Sequence, residues 1–327
     1  MSSYVVAGSL WWDGALRSDL GLRLDPAPAP VPLSDISELS VIRRLPGTLL
    51  PGLVDSHVHS GLVDLATVRA GGIAGVWDLG SVPASVARLA GLPGLPRIRY
   101  AGPFLIAPGG YPSDRAWATP GSWREIDSAA EAEAAVAEAH AAGATLIKLT
   151  AHAGGPLPRL FTMTAVADAA HDLGLPVVVH AEGPGTVEMA YESGADLLAH
   201  TPWTESLDRG LIRACAERMR WISTLDIHGW GTPTPELVTA VGNLRRFLEY
   251  GGSVRYGTDL GNGPVVPGVN PREILALQSA GLTPDAILLA MTGPDISWIP
   301  GGLDLDPARF ADVLATARVF DDSVQPR

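Results

Sequence analysis

Two histidines, His57 and His59, stand two residues apart in the apolar run 53–59, and the alternation of a strand puts both side chains on one face. Paired imidazoles on an inward face are costly to bury without a partner, and a metal ion is the economical partner. Lys148, His180, His200 and Asp259 are further groups able to ligate a metal, each near the end of another short apolar run. Lys148 is singular in another way. Of 23 basic residues it is the one lysine, and only a primary amine, not a guanidinium, can be deprotonated.

These six residues act together only if one fold gathers them. From residue 51 onward, short apolar runs alternate with amphipathic helical stretches, at 53–59, 73–79, 97–104, 145–150, 176–181, 196–201, 221–228 and 254–259. Eight strand–helix units over roughly 240 residues match an α/β fold of the (β/α)8 TIM-barrel type, whose C-terminal strand ends meet at one mouth. The rival, a doubly wound open sheet, usually carries a Gly-rich phosphate turn after its first strand, and none is present.

Helix ends are readable. Ser128 and Glu131 form a capping box for a helix stopping at Gly143; Thr234-Pro235 and Thr283-Pro284 each pair a cap with a first-turn proline. A further helix is expected at 164–173, before Gly174. Residues 4–50 read as short strands, with the alternating prolines Pro26, Pro28, Pro30 and Pro32 as an extended connector. A β-like stretch at 313–320 is expected to rejoin them. The chain is thus expected to divide into a small β domain from 1–50 and 301–327, reduced by the short tail, and a barrel at 51–300.

Composition narrows the function. With 46% hydrophobic and 18% charged residues, the 327-residue chain is not a disordered one. A net charge of −12 makes nucleic acid and anionic membrane surfaces poor partners. No apolar run approaches the ~18–20 residues of a spanning helix. The first residues lack the basic start and cleavage site of a signal peptide, and one cysteine, Cys215, allows no internal disulfide. A cytoplasmic location is expected.

The phrases PGLVDSHVH, VVVHAEG, LLAHTPW and YGTDLG, together with Lys148, resemble the amidohydrolase superfamily, most of all its imidazolonepropionase-like and prolidase-like members. The resemblance implies a binuclear centre. His57, His59 and Asp259 would hold one divalent ion, His180 and His200 the second, and Lys148, carboxylated by CO2, would bridge them. Zinc suits imidazole and carboxylate donors, as Mn or Fe would. The implied reaction is hydrolysis of an amide, lactam or related C–N bond of a small molecule, with Asp259 as general base and acid. Ester, lactone or phosphotriester hydrolysis at the same centre, or a catalytically silent metal-binding protein, are the alternatives. Deaminases usually place a carboxylate three residues after the strand-five histidine; here Glu182 follows His180 by two. A homo-oligomer is also implied.

Substrate contacts are expected from Tyr111 and Trp117 in the long connection 105–124, which also holds Arg115 and Trp123, and from His152, Trp203 and His228. Similar sequences commonly carry histidine where Tyr111 stands. Arg115 and Arg159 are candidate carboxylate clamps. Asp78 and Glu182 are candidates for orienting imidazoles. His140 and His171 read as surface residues, and Trp11, Trp12, Trp77 and Trp221 as packing residues.

Overall fold

The structure is a computed structural model describing residues 3–321. An outer sheet opens the chain, with β1 (Tyr4–Trp12), β2 (Ala15–Arg17), β3 (Leu20–Arg23), β4 (Ala29–Pro32) and the first part of β5 (Val41–Val58). β1 runs parallel to β5 and antiparallel to β2 and β3. The alternating prolines do not form a free connector throughout. Their second half is β4, antiparallel to β3 and last in the sheet order, an edge where Pro30 and Pro32 need donate no N–H outward.

β5 then enters a ring of parallel strands. β6 (Gly75–Asp78), β7 (Arg97–Tyr100), β8 (Phe104–Ile106), β9 (Trp123–Glu125), β10 (Ile147–His152), β11 (Val177–Glu182), β12 (Leu197–Leu198), β13 (Arg220–Ile222) and β14 (Ser253–Arg255) follow in order. β7 pairs with β6 and β8 with β10, so the third run serves as one broken stave, with Thr145 N donating to Tyr100 O at 2.9 Å across to the fourth. β9 adds beside β8, a short strand absent from the sequence reading.

The ring closes between the eighth run and the first. Ser56 N donates to Tyr256 O (2.9 Å), Leu260 N to His57 O (3.2 Å) and His59 N to Leu260 O (2.9 Å). Val54, Trp77, Ala101, Leu146, Val178, Leu197 and Ile222 form one apolar cluster drawn from seven successive staves, which can meet only inside the ring. All eight apolar runs are staves of this barrel.

Helices cover its outside. Ala129–Ala141 buries Ala132, Ala135, Val136 and Ala139, the spacing of a single helical face. Ser128, Thr234 and Thr283 accept from the backbone N–H groups of Glu131, Leu237 and Ala286, as their caps predict. The helix expected at 164–173 spans Leu160–Asp172.

The chain returns to the outer sheet through β15 (Thr292–Ile299), antiparallel to β5, and β16 (Arg318–Val319), antiparallel to β15. The expected β stretch at 313–320 is only partly strand. Its first residues finish the helix Pro307–Leu314, which Asp306 caps and whose Phe310, Ala311 and Leu314 are buried. Of the segments expected to form a small β domain, residues 1–2 and 322–327 lie outside the described residues. Among the described residues no helix is long and apolar enough to cross a membrane.

Candidate metal centre

His57, His59, His200 and Asp259 sit at or just past the C-terminal ends of their staves, Lys148 and His180 lie within β10 and β11, and none of the six is more than 8% exposed. They converge. Asp259 Oδ1 lies 3.1 Å from both His57 Nε2 and His59 Nε2. The His57 ring is 4.6 Å from His200, and His200 is 4.9 Å from His180. Donor atoms of His57, His200 and Asp259 fall within 4.8 Å of one another. Lys148 lines the same cavity.

Backbone and side-chain acceptors fix the rings. His57 Nδ1 is 2.8 Å from Ala199 O, and His59 Nδ1 is 3.3 Å from Gly80 O. A carbonyl only accepts, so both Nδ1 atoms carry a proton, and both Nε2 atoms face the Asp259 carboxylate. His200 Nδ1 contacts Thr224 Oγ1 at 2.9 Å. His180 is turned the other way. Its Nε2 donates to Glu182 Oε2 (2.9 Å), leaving Nδ1 as the lone-pair nitrogen.

Two carboxylates hold this geometry from behind. Asp78 accepts from Gly80 N (3.1 Å), Ser60 N (2.9 Å), Ser81 Oγ (2.6 Å) and Ser60 Oγ. It thereby fixes the turn that offers Gly80 O to His59 rather than touching an imidazole itself. Asp55 accepts from His57 N (3.0 Å), Thr258 N (3.0 Å) and Thr258 Oγ1 (2.6 Å), joining the first and last staves beneath the cluster. Between them Gly257 approaches closely: a Cβ there would stand 2.4 Å from Ile222 Cγ2 and 3.1 Å from His57 N.

The donor set suits a cation. Burial pushes His57 and His200 well below the ordinary imidazole range, so protonated rings are disfavoured. Burial also opposes a charge on Asp259, but its imidazole neighbours outweigh that, and its carboxyl stays well below the usual range. The Asp259 carboxylate and the ring nitrogens of His57, His59 and His200 are four ligating groups gathered around one point. A divalent cation satisfies all of them at once, so the residues fit a metal. Burial likewise pulls Lys148 down to about 7, against the pull of Asp259 and Asp78.

Above the cluster opens a cavity of about 560 Å³. Tyr111, Trp117, Trp203 and His228 are on its wall, with Leu62, Phe104, Glu182, Ile227, Trp230 and Asn262. Tyr111 stacks on His180 at 5.1 Å, and Trp203 on His228 at 4.8 Å. Burial lowers His228 to about 4, and its Nε2 has no hydrogen-bond partner among the described residues.

No protein-family model and no curated protein matches the sequence. Solved structures do. A Xaa-Pro dipeptidase with methionine in its active site superposes with a TM-score of 0.76 at 20% identity, over 98% of each chain. The ochratoxinase of A. niger gives 0.78 at 18% identity, over 98% of this chain and 95% of that one. An amidohydrolase gives 0.76 at 19% identity, over 96% and 95%. The chain has the amidohydrolase fold.

Within the amidohydrolase fold, the residues singled out by sequence fall in three places. Lys148, His57, His59, His180, His200 and Asp259 share the cavity floor, and four of the five expected substrate contacts share its wall. His152 stands behind, 3.0 Å from Glu182 Oε2 and 4.9 Å from the Tyr111 ring. Arg115 and Arg159 are off the wall: Arg115 pairs with Asp114, Arg159 with Asp127. His140 and His171 are exposed, and Trp11 and Trp221 are core residues. Sequence reasoning missed Asp55, although its place two residues before His57 in VDSHVH was a usable signal. It also missed Phe104, Ile227 and Trp230, for which no polar signal existed.

Proposed function

We propose that the chain is a metal-dependent hydrolase cleaving an amide, lactam or related C–N bond of a small molecule. The observation that carries this reading is the convergence of His57, His59 and Asp259 on the floor of a cavity. In this reading His57, His59 and Asp259 hold one divalent ion and His180 and His200 a second, with zinc favoured by the donor set. Lys148 joins both. Its buried amine, drawn towards neutrality, adds CO2 and releases a proton, and the resulting carbamate offers two oxygens.

Bound there, the ions supply a water acidic enough to ionise near neutral pH and polarise the scissile carbonyl. Asp259 would be placed to take a proton from an attacking water and return it to the leaving nitrogen. Asn262 Nδ2, 2.9 Å from Asp259 Oδ2, fixes the plane of the carboxylate. Glu182 orients His180, and this use of the carboxylate argues against a deaminase. The aromatic wall excludes water from the reacting bond. A cytoplasmic setting and a homo-oligomeric state belong to the same reading.

Elemental analysis of protein purified without chelator, combined with a screen of N-acyl amino acids, amides, cyclic imides and lactones, tests it. Stoichiometric metal with amide turnover is expected. Preference for lactones or phosphotriesters would move the reading to those bonds. Metal without turnover would make the chain a binding protein, and absence of metal would overturn the reading.

A further inference from the structure

Away from the metal centre proposed above, the cavity wall holds little that could receive an anion. Its charged groups are the carboxylates Glu182 and Asp259 and the amine of Lys148, and the metal centre proposed above uses Asp259 and Lys148. No arginine is on that wall among the described residues. Arg115 lies 5.3 Å over the Tyr111 ring and pairs with Asp114, while Arg159 is bound to Asp127. A carboxylate on the part of a substrate remote from the metal centre would lose its water with no guanidinium to replace it, in the field of a chain with net charge −12.

Flat apolar surface is what the wall does offer. Phe104 and Trp117 stand beside His59, with Trp117 6.2 Å from that ring, and Trp203 stands 5.3 Å from His200. Aromatic rings therefore flank the histidine cluster on both the His59 and the His200 sides, Trp203 meeting His200 edge-on. Trp117 and Trp230 are 39% and 42% exposed although both line the cavity, and large aromatic surface left open in a concave site marks a place a ligand covers.

We propose that the cavity takes an uncharged substrate whose amide carries a flat aromatic group, and that it discriminates against substrates with a free carboxylate. The proposal rests on the hydrolase reading for the bond that breaks, but not for what binds.

The zinc-loaded enzyme is given N-benzoylglycinamide and N-benzoylglycine, which differ in charge, and acetanilide and N-cyclohexylacetamide, which differ in flatness. Binding of each is also followed by quenching of intrinsic tryptophan fluorescence, with or without turnover. The neutral and the flat members are expected to bind on the order of tenfold more tightly than their counterparts. Equal or better use of the carboxylate overturns the proposal while leaving a hydrolase. The expected binding preference without turnover keeps the proposal and removes the hydrolase, and no binding of any of the four overturns the proposal. Trp117→Ala is expected to raise KM for acetanilide while sparing the cyclohexyl compound. An equal rise for both, or none, would remove the aromatic part of the claim.

Discussion

Asp259 occupies the left-handed region, with φ of 56°, which a non-glycine residue adopts only where its surroundings hold it. That conformation turns its carboxylate into the histidine cluster. Asp259→Asn keeps the shape and most of the metal, but an amide cannot take the proton. Turnover is expected to fall by about a thousandfold or more with metal content near that of the parent. Near-normal turnover would remove Asp259 from the chemistry. Lys148 is tested by charge type. Lys148→Arg keeps a cation but cannot become a neutral amine, and it is expected to lose both turnover and bound metal. Lys148→Ala leaves a space that formate can fill, so added formate is expected to restore part of the activity of that variant alone. At this scale the cluster was legible because few residue types can ligate a metal. The wall was less so, since Phe104 and Ile227 look like any core residue until the cavity is seen.

Among the elements, Asp55 and Glu273 do comparable work at different seams. Asp55→Ala would strand two buried N–H groups and the Thr258 hydroxyl, a loss of about 2–4 kcal/mol in denaturant unfolding together with weaker metal retention. Glu273, on the helix Pro271–Ala280, accepts from Leu225 N (3.0 Å) and Asp226 N (2.7 Å) just before His228. Burial raises its carboxyl from 4.5 to about 7. Between those values the unfolded chain has lost the proton that the folded chain keeps, so stability falls as pH rises and levels off above about 7. Glu273→Gln cannot titrate. The stability advantage of the parent over this variant is therefore expected to be greatest near pH 5 and to shrink by up to about 3 kcal/mol by pH 8. An advantage that stayed constant with pH would contradict the shift. The eight staves were legible from period and spacing. β15 was not, because its Thr292-Gly293-Pro294 opening reads as a turn; β16 lies inside the expected 313–320 stretch, whose first residues the sequence did not show to be helical.

For the whole molecule, the closing hydrogen bonds of the barrel are made by backbone atoms and do not need a metal. Chelation is expected to leave the far-ultraviolet dichroism unchanged and abolish turnover. A ligand held at a thousand times its Kd contributes about 4 kcal/mol, so Tm is expected to drop on the order of 10 °C and recover with zinc. An unchanged Tm would mean that the cluster holds no ion in solution.

β5 has the longest reach. One unbroken run of 18 residues is both a central member of the outer sheet and the stave that bears His57. A shared spar of this kind ties the outer layer to the barrel through continuous backbone. They must melt in a single calorimetric step, and deleting the leading segment would topple the barrel rather than trim it. Traffic into the cavity then falls to small movements at the rim, where Trp117 and Trp230 stand at the gate.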